Sequence, residues 1–194
     1  MRSGIQEAKR VLRAQVQSAV RRMAPQERVA GSARARALLE GQPAWQTARS
    51  VCFFAPLPEE FDVWPLLARA LAAGKRVALP RFVAATRSYE VRWILDPERD
   101  LATGHFGIRE PSSCCARIAS NALDLILVPG VAFDRDGYRL GRGKGYYDQL
   151  LGVLRGPTCG VAFEQQIVSA IPVEPHDVRL RFLLTPNEWI TVKD

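Results

Sequence analysis

A change of hydrophobic period near residue 50 does most to limit what this chain can fold into. Before it, apolar residues recur every three or four positions. Ala8, Leu12, Val16, Ala19, Val20 and Met23 fall on one stripe, so residues 5–23 read as an amphipathic helix. Pro25 opens a second helix through Leu39, which Gly41-Gln42-Pro43 stops. Then Val51-Cys52-Phe53-Phe54-Ala55 is apolar without interruption and is closed by Pro56 and Pro58, the mark of a short strand buried on both faces. The remaining chain alternates the two kinds of segment. Helices are read over 64–73, 146–154 and 164–170, and strands over 76–79, 90–95, 123–128, 159–163 and 182–185. Buried strands separated by helices give an α/β fold: a three-layer α/β/α sandwich around a mainly parallel or mixed sheet. With 194 residues, no internal repeat and no linker, residues 1–194 read as a single domain.

In such sheets ligands gather at the carboxyl ends of strands. Two unusual loops leave strand carboxyl ends here, after Ala55 and after Val128. The second, Pro129 to Asp148, is long for a βα connection, where about 2–6 residues is usual, and long ordered loops are usually functional. Its second half alternates glycine with cations: Gly141, Arg142, Gly143, Lys144, Gly145. Glycines let the backbone turn sharply and bring bare N–H groups against an anion. The helix that follows aims its positive end at the same spot. Arg139, Arg142 and Lys144 add mobile or bidentate charge. The pattern reads as a polyphosphate cradle, although neither GxxxxGK[ST] nor a dinucleotide fingerprint is present. A glycine-rich turn with basic decoration is the competing reading.

Neighbouring residues carry two readings each. Tyr146 and Tyr147 either stack on a flat ring or pack at a helix start. Asp148 either holds magnesium beside the phosphates or complements the helix dipole. Lys9 and Arg13, one turn apart, either straddle a phosphate or form a solvated basic face. Among Glu59, Glu60 and Asp62, a carboxylate suits the donors of an aminopyrimidine-like ring; solubility of the turn is the plainer account. His176-Asp177 comes without a GxSxG elbow, so Asp177 reads as structural or metal-supporting rather than as part of a triad.

Charge and cysteine content narrow the class. The net charge is +7, and residues 1–36 hold all of it, with nine Lys/Arg against Glu7 and Glu27. Nucleic-acid binding calls for aromatic residues interleaved with such charge, and none precedes Trp45. An anionic small molecule or plain solvation fits better. Cys52, Cys114, Cys115 and Cys159 lack CxxC spacing, and only His105 and His176 are available beside them, so free thiols are expected rather than a zinc site. No apolar run reaches the roughly 18–20 residues that span a bilayer, and the basic N-terminus lacks an apolar signal core. A cytoplasmic protein is expected.

In this order the segments resemble the 5-formyltetrahydrofolate cyclo-ligase, or methenyltetrahydrofolate synthetase, family. Leu125-Ile126-Leu127-Val128-Pro129-Gly130-Val131-Ala132-Phe133-Asp134 running into Arg139–Asp148 carries most of the likeness. Lys9-Arg10-Val11-Leu12-Arg13, Gly74-Lys75 with Leu79-Pro80, Gly107-Ile108-Arg109-Glu110-Pro111, and Gly160–Gln166 leading to Pro172 and His176-Asp177 extend it over nearly the whole chain. The resemblance implies an ATP- and magnesium-dependent enzyme. It would phosphorylate the formyl oxygen of 5-formyltetrahydrofolate, after which the second folate nitrogen attacks, the ring closes and phosphate leaves.

By position, the resemblance implies ATP contacts at Lys9, Arg10, Val11, Leu12, Arg13, Arg139, Leu140, Gly141, Arg142, Gly143, Lys144, Gly145, Tyr146, Tyr147 and Asp148. It implies folate contacts at Ala55, Glu60, Gly143, Lys144, Gly145, Tyr146 and Tyr147, and magnesium-linked carboxylates at Asp148 and Asp177. Lys144, Arg142 and Tyr147 would be catalytic, the two cations stabilising the transferring phosphoryl group. One departure is visible: Arg179 and Arg181 stand where the family often has a second acidic residue. The expected partners are ATP and 5-formyltetrahydrofolate, polyglutamylated or not, with no membrane or nucleic acid and a monomeric state. A non-catalytic nucleotide- or RNA-binding relative on the same scaffold is the alternative, motivated by the basic arm. A ligase or kinase for another small acid is a third.

Overall fold

The period change near residue 50 marks the entry into a seven-stranded sheet. The computed structural model describes residues 2–105, 107–118, 123–174 and 177–193, with Arg2 and Ser3 described by backbone alone. Helices α1 (Arg2–Arg22) and α2 (Pro25–Glu40) and a single turn, α3 (Pro43–Gln46), lead to β1 (Ser50–Cys52). Next come α4 (Trp64–Ala72), β2 (Arg76–Val83), β3 (Ser88–Ile94), the short α5 (Pro97–Asp100), β4 (Leu101–Thr103) and β5 (Arg109–Pro111). The chain continues through β6 (Leu125–Val128), β7 (Ala132–Asp134), β8 (Arg139–Leu140), α6 (Tyr146–Val153) and β9 (Thr158–Val161). A 3-10 turn (Glu164–Gln166), β10 (Ile167–Val168), β11 (Phe182–Leu184) and β12 (Trp189–Thr191) complete it.

The main sheet has the order β12-β11-β9-β6-β1-β2-β3. Its five inner strands are parallel, and β3 and β12 close the two edges in antiparallel pairing. Strand residues alternate between two apolar clusters, because successive side chains point to opposite faces. Val51, Phe53, Leu125 and Leu127 pack with Val16 and Val20 of α1, Leu39 of α2 and Leu67 of α4. Cys52, Ile126 and Val128 pack instead with Leu150, Leu151 and Leu154 at the end of α6. Helices therefore cover both faces, and the fold is the three-layer sandwich expected from the alternation. Phe53, Phe54, Phe133 and Phe163 are fully buried, each worth about 1.5–3 kcal/mol of transfer free energy.

Several boundaries differ from the sequence reading, for identifiable reasons. Strand β2 runs on past Pro80 to Val83 instead of stopping at the proline. Ala78, whose carbonyl accepts from Phe53, faces β1; Pro80 faces the same way, two residues beyond the last paired residue, Ala78. Its missing N–H thus costs no ladder bond. The helix read over 164–170 is one 3-10 turn followed by β10. Gln166 folds back, its Oε1 accepting from Phe163 N at 2.9 Å and its Nε2 donating to Gly130 O at 2.8 Å, while Ile167 and Val168 pair with β7. Tertiary hydrogen bonds override the helical period there. The connection after β6 is also less of a loop than its length implies. Its first half is the β7–β8 hairpin, closed by Asp134, whose Oδ1 accepts from Tyr138 N at 2.9 Å and whose Oδ2 accepts from Ile171 N at 2.9 Å.

Candidate active site

The carboxyl ends of β1, β2 and β6 open on one side of the sheet, and the loops leaving β1 and β6 come together there. Ala55, Leu57 and Glu60 from the first, Pro129 and Gly130 from the second, and Pro80 within β2 wall a cavity of about 390 Å³. Tyr89 of β3, Ile108 before β5, and Tyr146 and Tyr147 of α6 complete an apolar, aromatic lining. The rings pack on one another: Tyr89 lies 6.1 Å from Tyr146 and 5.4 Å from Tyr147 between centroids. Such a cavity suits a flat heteroaromatic ligand with a few directional polar groups. Those groups are Glu60, Arg142, Lys144 and Asp148, which share the lining.

Burial pushes the Tyr89 phenol up to about 12, with the nearby charge of Glu110 adding to it. It also holds the Tyr147 phenol well above its ordinary value. Both rings therefore stay protonated at neutral pH and act as donors rather than bases.

A second cavity, about 100 Å³ and polar, adjoins the first. Gln6, Lys9 and Arg13 reach it from α1, Leu140 from β8, Gly143 from the glycine loop, and Glu174 and Asp177 from the segment before β11. Four residues line both cavities: Arg139, Gly141, Gly145 and Asp148. This shared wall is built tightly. The Arg139 guanidinium is almost wholly buried and donates to Asp148 Oδ1 at 2.5 Å and to Pro129 O at 3.4 Å. Its Nε is buried with no hydrogen-bond partner among the described residues. A Cβ on Gly141 would lie 2.8 Å from Arg139 Nη1, so only glycine lets the backbone pass so close to that side chain. Gly143 sits at φ 89°, and Arg13 Nε donates to Gly141 O at 2.8 Å, tying α1 to the loop.

Most charges of the polar cavity are already paired. Lys9 is buried, and its ammonium donates to Glu174 Oε2 at 2.9 Å and to Asp177 Oδ2 at 2.8 Å. Burial pulls its pKa down, but the two carboxylates outweigh that and leave it raised. Burial lowers the Arg13 pKa, with Asp148 opposing. Asp177 also accepts from Glu174 N at 2.8 Å. Among the described residues no group of three or more His, Cys, Asp or Glu side chains is arranged to hold a metal ion. His176, named in the sequence reading beside Asp177, lies outside the described residues.

Of the ATP, folate and magnesium positions implied by the resemblance, three stand apart from both cavities. Arg10 projects into solvent and pairs with Glu7, Val11 is exposed, and Leu12 packs on the core. Lys9 is a buried ion-pair residue rather than part of a solvated face. Arg142 lines the aromatic cavity alone, and Gly143 the polar one alone. Tyr89, Ile108, Pro80, Gln6 and Glu174 line the site without having been singled out. Of these only Glu174, inside the Pro172–Asp177 stretch, and Pro80 and Ile108, inside matched motifs, carried any signal.

A model of the 5-formyltetrahydrofolate cyclo-ligase family matches residues 5–186. The chain belongs to this family. A 5-formyltetrahydrofolate cyclo-ligase of Mycolicibacterium smegmatis is 37% identical over 150 residues, covering 74% of this chain and 77% of that protein. The mouse 5-formyltetrahydrofolate cyclo-ligase is 28% identical over 187 residues, covering 91% and 92%. The solved structure of Aquifex aeolicus 5,10-methenyltetrahydrofolate synthetase superposes with a TM-score of 0.86 at 32% identity, over 96% of this chain and 93% of that one.

Proposed function

We propose that this cyclo-ligase binds the folate in the aromatic cavity and the ATP phosphates in the polar one, and joins them chemically at the wall they share. The observation that carries this reading is the shared wall itself. Arg139, Gly141, Gly145 and Asp148 face both a roomy apolar cavity and a small charged one, as a reaction between a flat substrate and a triphosphate requires.

An amide-like formyl oxygen is a poor leaving group until it is phosphorylated. The formyl oxygen attacks the γ-phosphorus, the bond to the bridging oxygen breaks, and ADP departs. The second folate nitrogen then adds to the formyl carbon and gives its proton to solvent. The carbon–oxygen bond breaks, inorganic phosphate carries that oxygen away, and the positive charge spreads over the N–C–N unit of 5,10-methenyltetrahydrofolate. Little of this needs a protein base. It needs alignment and positive charge around the phosphoryl group.

This chain supplies both. Backbone N–H groups at Gly141–Gly145 and the amino end of α6 face the phosphates, while Arg13, Arg139 and Lys144 contribute cations. Glu60 accepts hydrogen bonds from the pterin's amino and ring N–H groups, and Tyr89, Tyr146 and Tyr147 stack around it. Asp148 and Asp177 are the carboxylates that would hold magnesium, which arrives with the triphosphate and offsets its charge. With no closed cage of acidic side chains among the described residues, a cation shared between one or two carboxylates and substrate phosphates is the arrangement these residues fit.

The test is spectrophotometric: methenyltetrahydrofolate should accumulate when ATP, magnesium and 5-formyltetrahydrofolate are added together, with one phosphate released per product. Phosphate release indifferent to the folate, or RNA retention with steep salt dependence and no turnover, would sink the assignment.

A further inference from the structure

Arg142 lies outside the phosphate cavity, although the resemblance implies that it stabilises the transferring phosphoryl group. Its two neighbours, Gly141 and Gly143, line the phosphate cavity, but Arg142 itself lines only the folate cavity. There its guanidinium is engaged with Glu60: Nη2 donates to Glu60 Oε1 at 2.8 Å and Nε to the same oxygen at 3.2 Å. Glu60 Oε2 accepts from Leu57 N at 3.0 Å, so the carboxylate is aimed by its own loop and the arginine comes to it. The two residues are 82 apart in sequence. They belong to the two loops that converge on the site, one expected to meet the pterin and the other the phosphates.

We infer that Glu60 is also a positioning residue: it withholds Arg142 from the phosphate cavity until the folate arrives, and so suppresses wasteful hydrolysis of ATP. The inference rests on the assignment of the two cavities given above. A pterin entering the aromatic cavity brings its own N–H donors to the Glu60 carboxylate and competes directly with the guanidinium. The displaced arginine is flanked by glycines on both sides, which allow the backbone rotation needed to turn it toward the neighbouring cavity. The pair is suited to release, since the Arg142 side chain is 47% exposed and that of Glu60 15%. An ion pair whose arginine is so open to water holds weakly, and a ligand with two good donors displaces it. Before release, the phosphoryl group lacks one stabilising cation. Attack by water, in which a water oxygen bonds to the γ-phosphorus, the bridging bond breaks, ADP leaves and a proton goes to solvent, is correspondingly slow.

The decisive measurement is a gain of activity, which structural damage does not produce. Phosphate release from magnesium-ATP without folate is compared in the wild type, Glu60→Gln and Glu60→Gln/Arg142→Ala. Glu60→Gln should raise it about fivefold, the scale on which a half-exposed ion pair biases an equilibrium, and the double variant should show no such rise. A Glu60→Gln protein that binds ATP normally but shows no rise overturns the inference, as does a rise that survives removal of Arg142.

A second measurement uses the wild-type protein alone. The ¹⁵N–H signal of Arg142 Nε, assigned against Arg142→Lys, should move on saturation with 5-formyltetrahydrofolate in the absence of nucleotide; an unmoved signal under saturation overturns the inference. Failure of the cavity assignment looks different, because the wild type then forms no methenyl product with ATP and folate, and the latch falls with it. Failure of the latch alone leaves that reaction intact.

Discussion

The two cavities that meet at Arg139 are made by opposite means. The aromatic one is walled by side chains on or just beyond strands, such as Ala55, Pro80, Tyr89 and Pro129, and its shape follows from the packing of the sheet. The polar one is assembled from α1, β8, the glycine loop and the segment before β11. Most of its charged groups already neutralise one another, Arg139 with Asp148 and Lys9 with Glu174 and Asp177. Burying an unpaired charge is expensive, so a site that will hold a polyanion keeps its cations paired until the ligand comes. The aromatic cavity can wait empty. The polar one has to exchange partners.

Substitutions can break that comparison or sharpen it. The largest effect is expected at the shared wall. Arg139→Met strands Asp148 and removes the cation common to both cavities, so kcat/KM should fall about a thousandfold for either substrate, with a lower Tm. A loss confined to one substrate would show that the wall is not shared.

Next is Lys144, an exposed loop residue at the mouth of the aromatic cavity. Lys144→Ala should reduce turnover about a hundredfold or more with Tm nearly unchanged; a large drop in Tm would make the lysine structural instead.

Two milder changes separate the cavities. Arg13→Ala should raise the KM for ATP about tenfold with that for the folate unmoved, and Tyr89→Leu should do the reverse. Initial-rate kinetics with each substrate varied in turn reads both.

The smallest effect concerns pH. Glu110 is buried beside Phe82 N, and burial raises its carboxyl above the ordinary value against the lowering pull of that N–H. The folded chain thus keeps this proton at a pH where the unfolded chain has released it, and stability falls as pH rises from the ordinary value through the raised one. Glu110→Gln removes the titration. Its Tm should exceed the wild type's by about 2 °C at pH 7, and the difference should vanish near pH 4. Equal melting at both values would mean that the carboxylate has found compensation elsewhere.

How far the sequence could be read depended on how local the signal was. Val51–Ala55 and the stripe from Ala8 to Met23 announce strand and helix through their own periods, and the α/β layering follows from them. Gly141–Gly145 announces a backbone cradle because glycine and cation types are legible one by one. The helix expected over 164–170 failed because Gln166 spends its amide on Phe163, Gly130 and Val131, contacts that no local period encodes. Tyr89 and Gln6 stayed hidden for the same reason: a tyrosine at a strand start and a glutamine in an amphipathic helix look ordinary until the fold brings cavities beside them.

The amino-acid sequence by itself thus determined the layers, the order of the principal strands and helices along the chain, and the kind of loop that faces an anion, since each rests on a spacing or a residue type within a few positions. Only the tertiary structure decided which charge meets which. Lys9 finds carboxylates 165 and 168 residues away, and Arg142 finds Glu60 across 82. An ion pair is specified by distance in space, and that distance exists only once the sheet has brought remote loops to one edge.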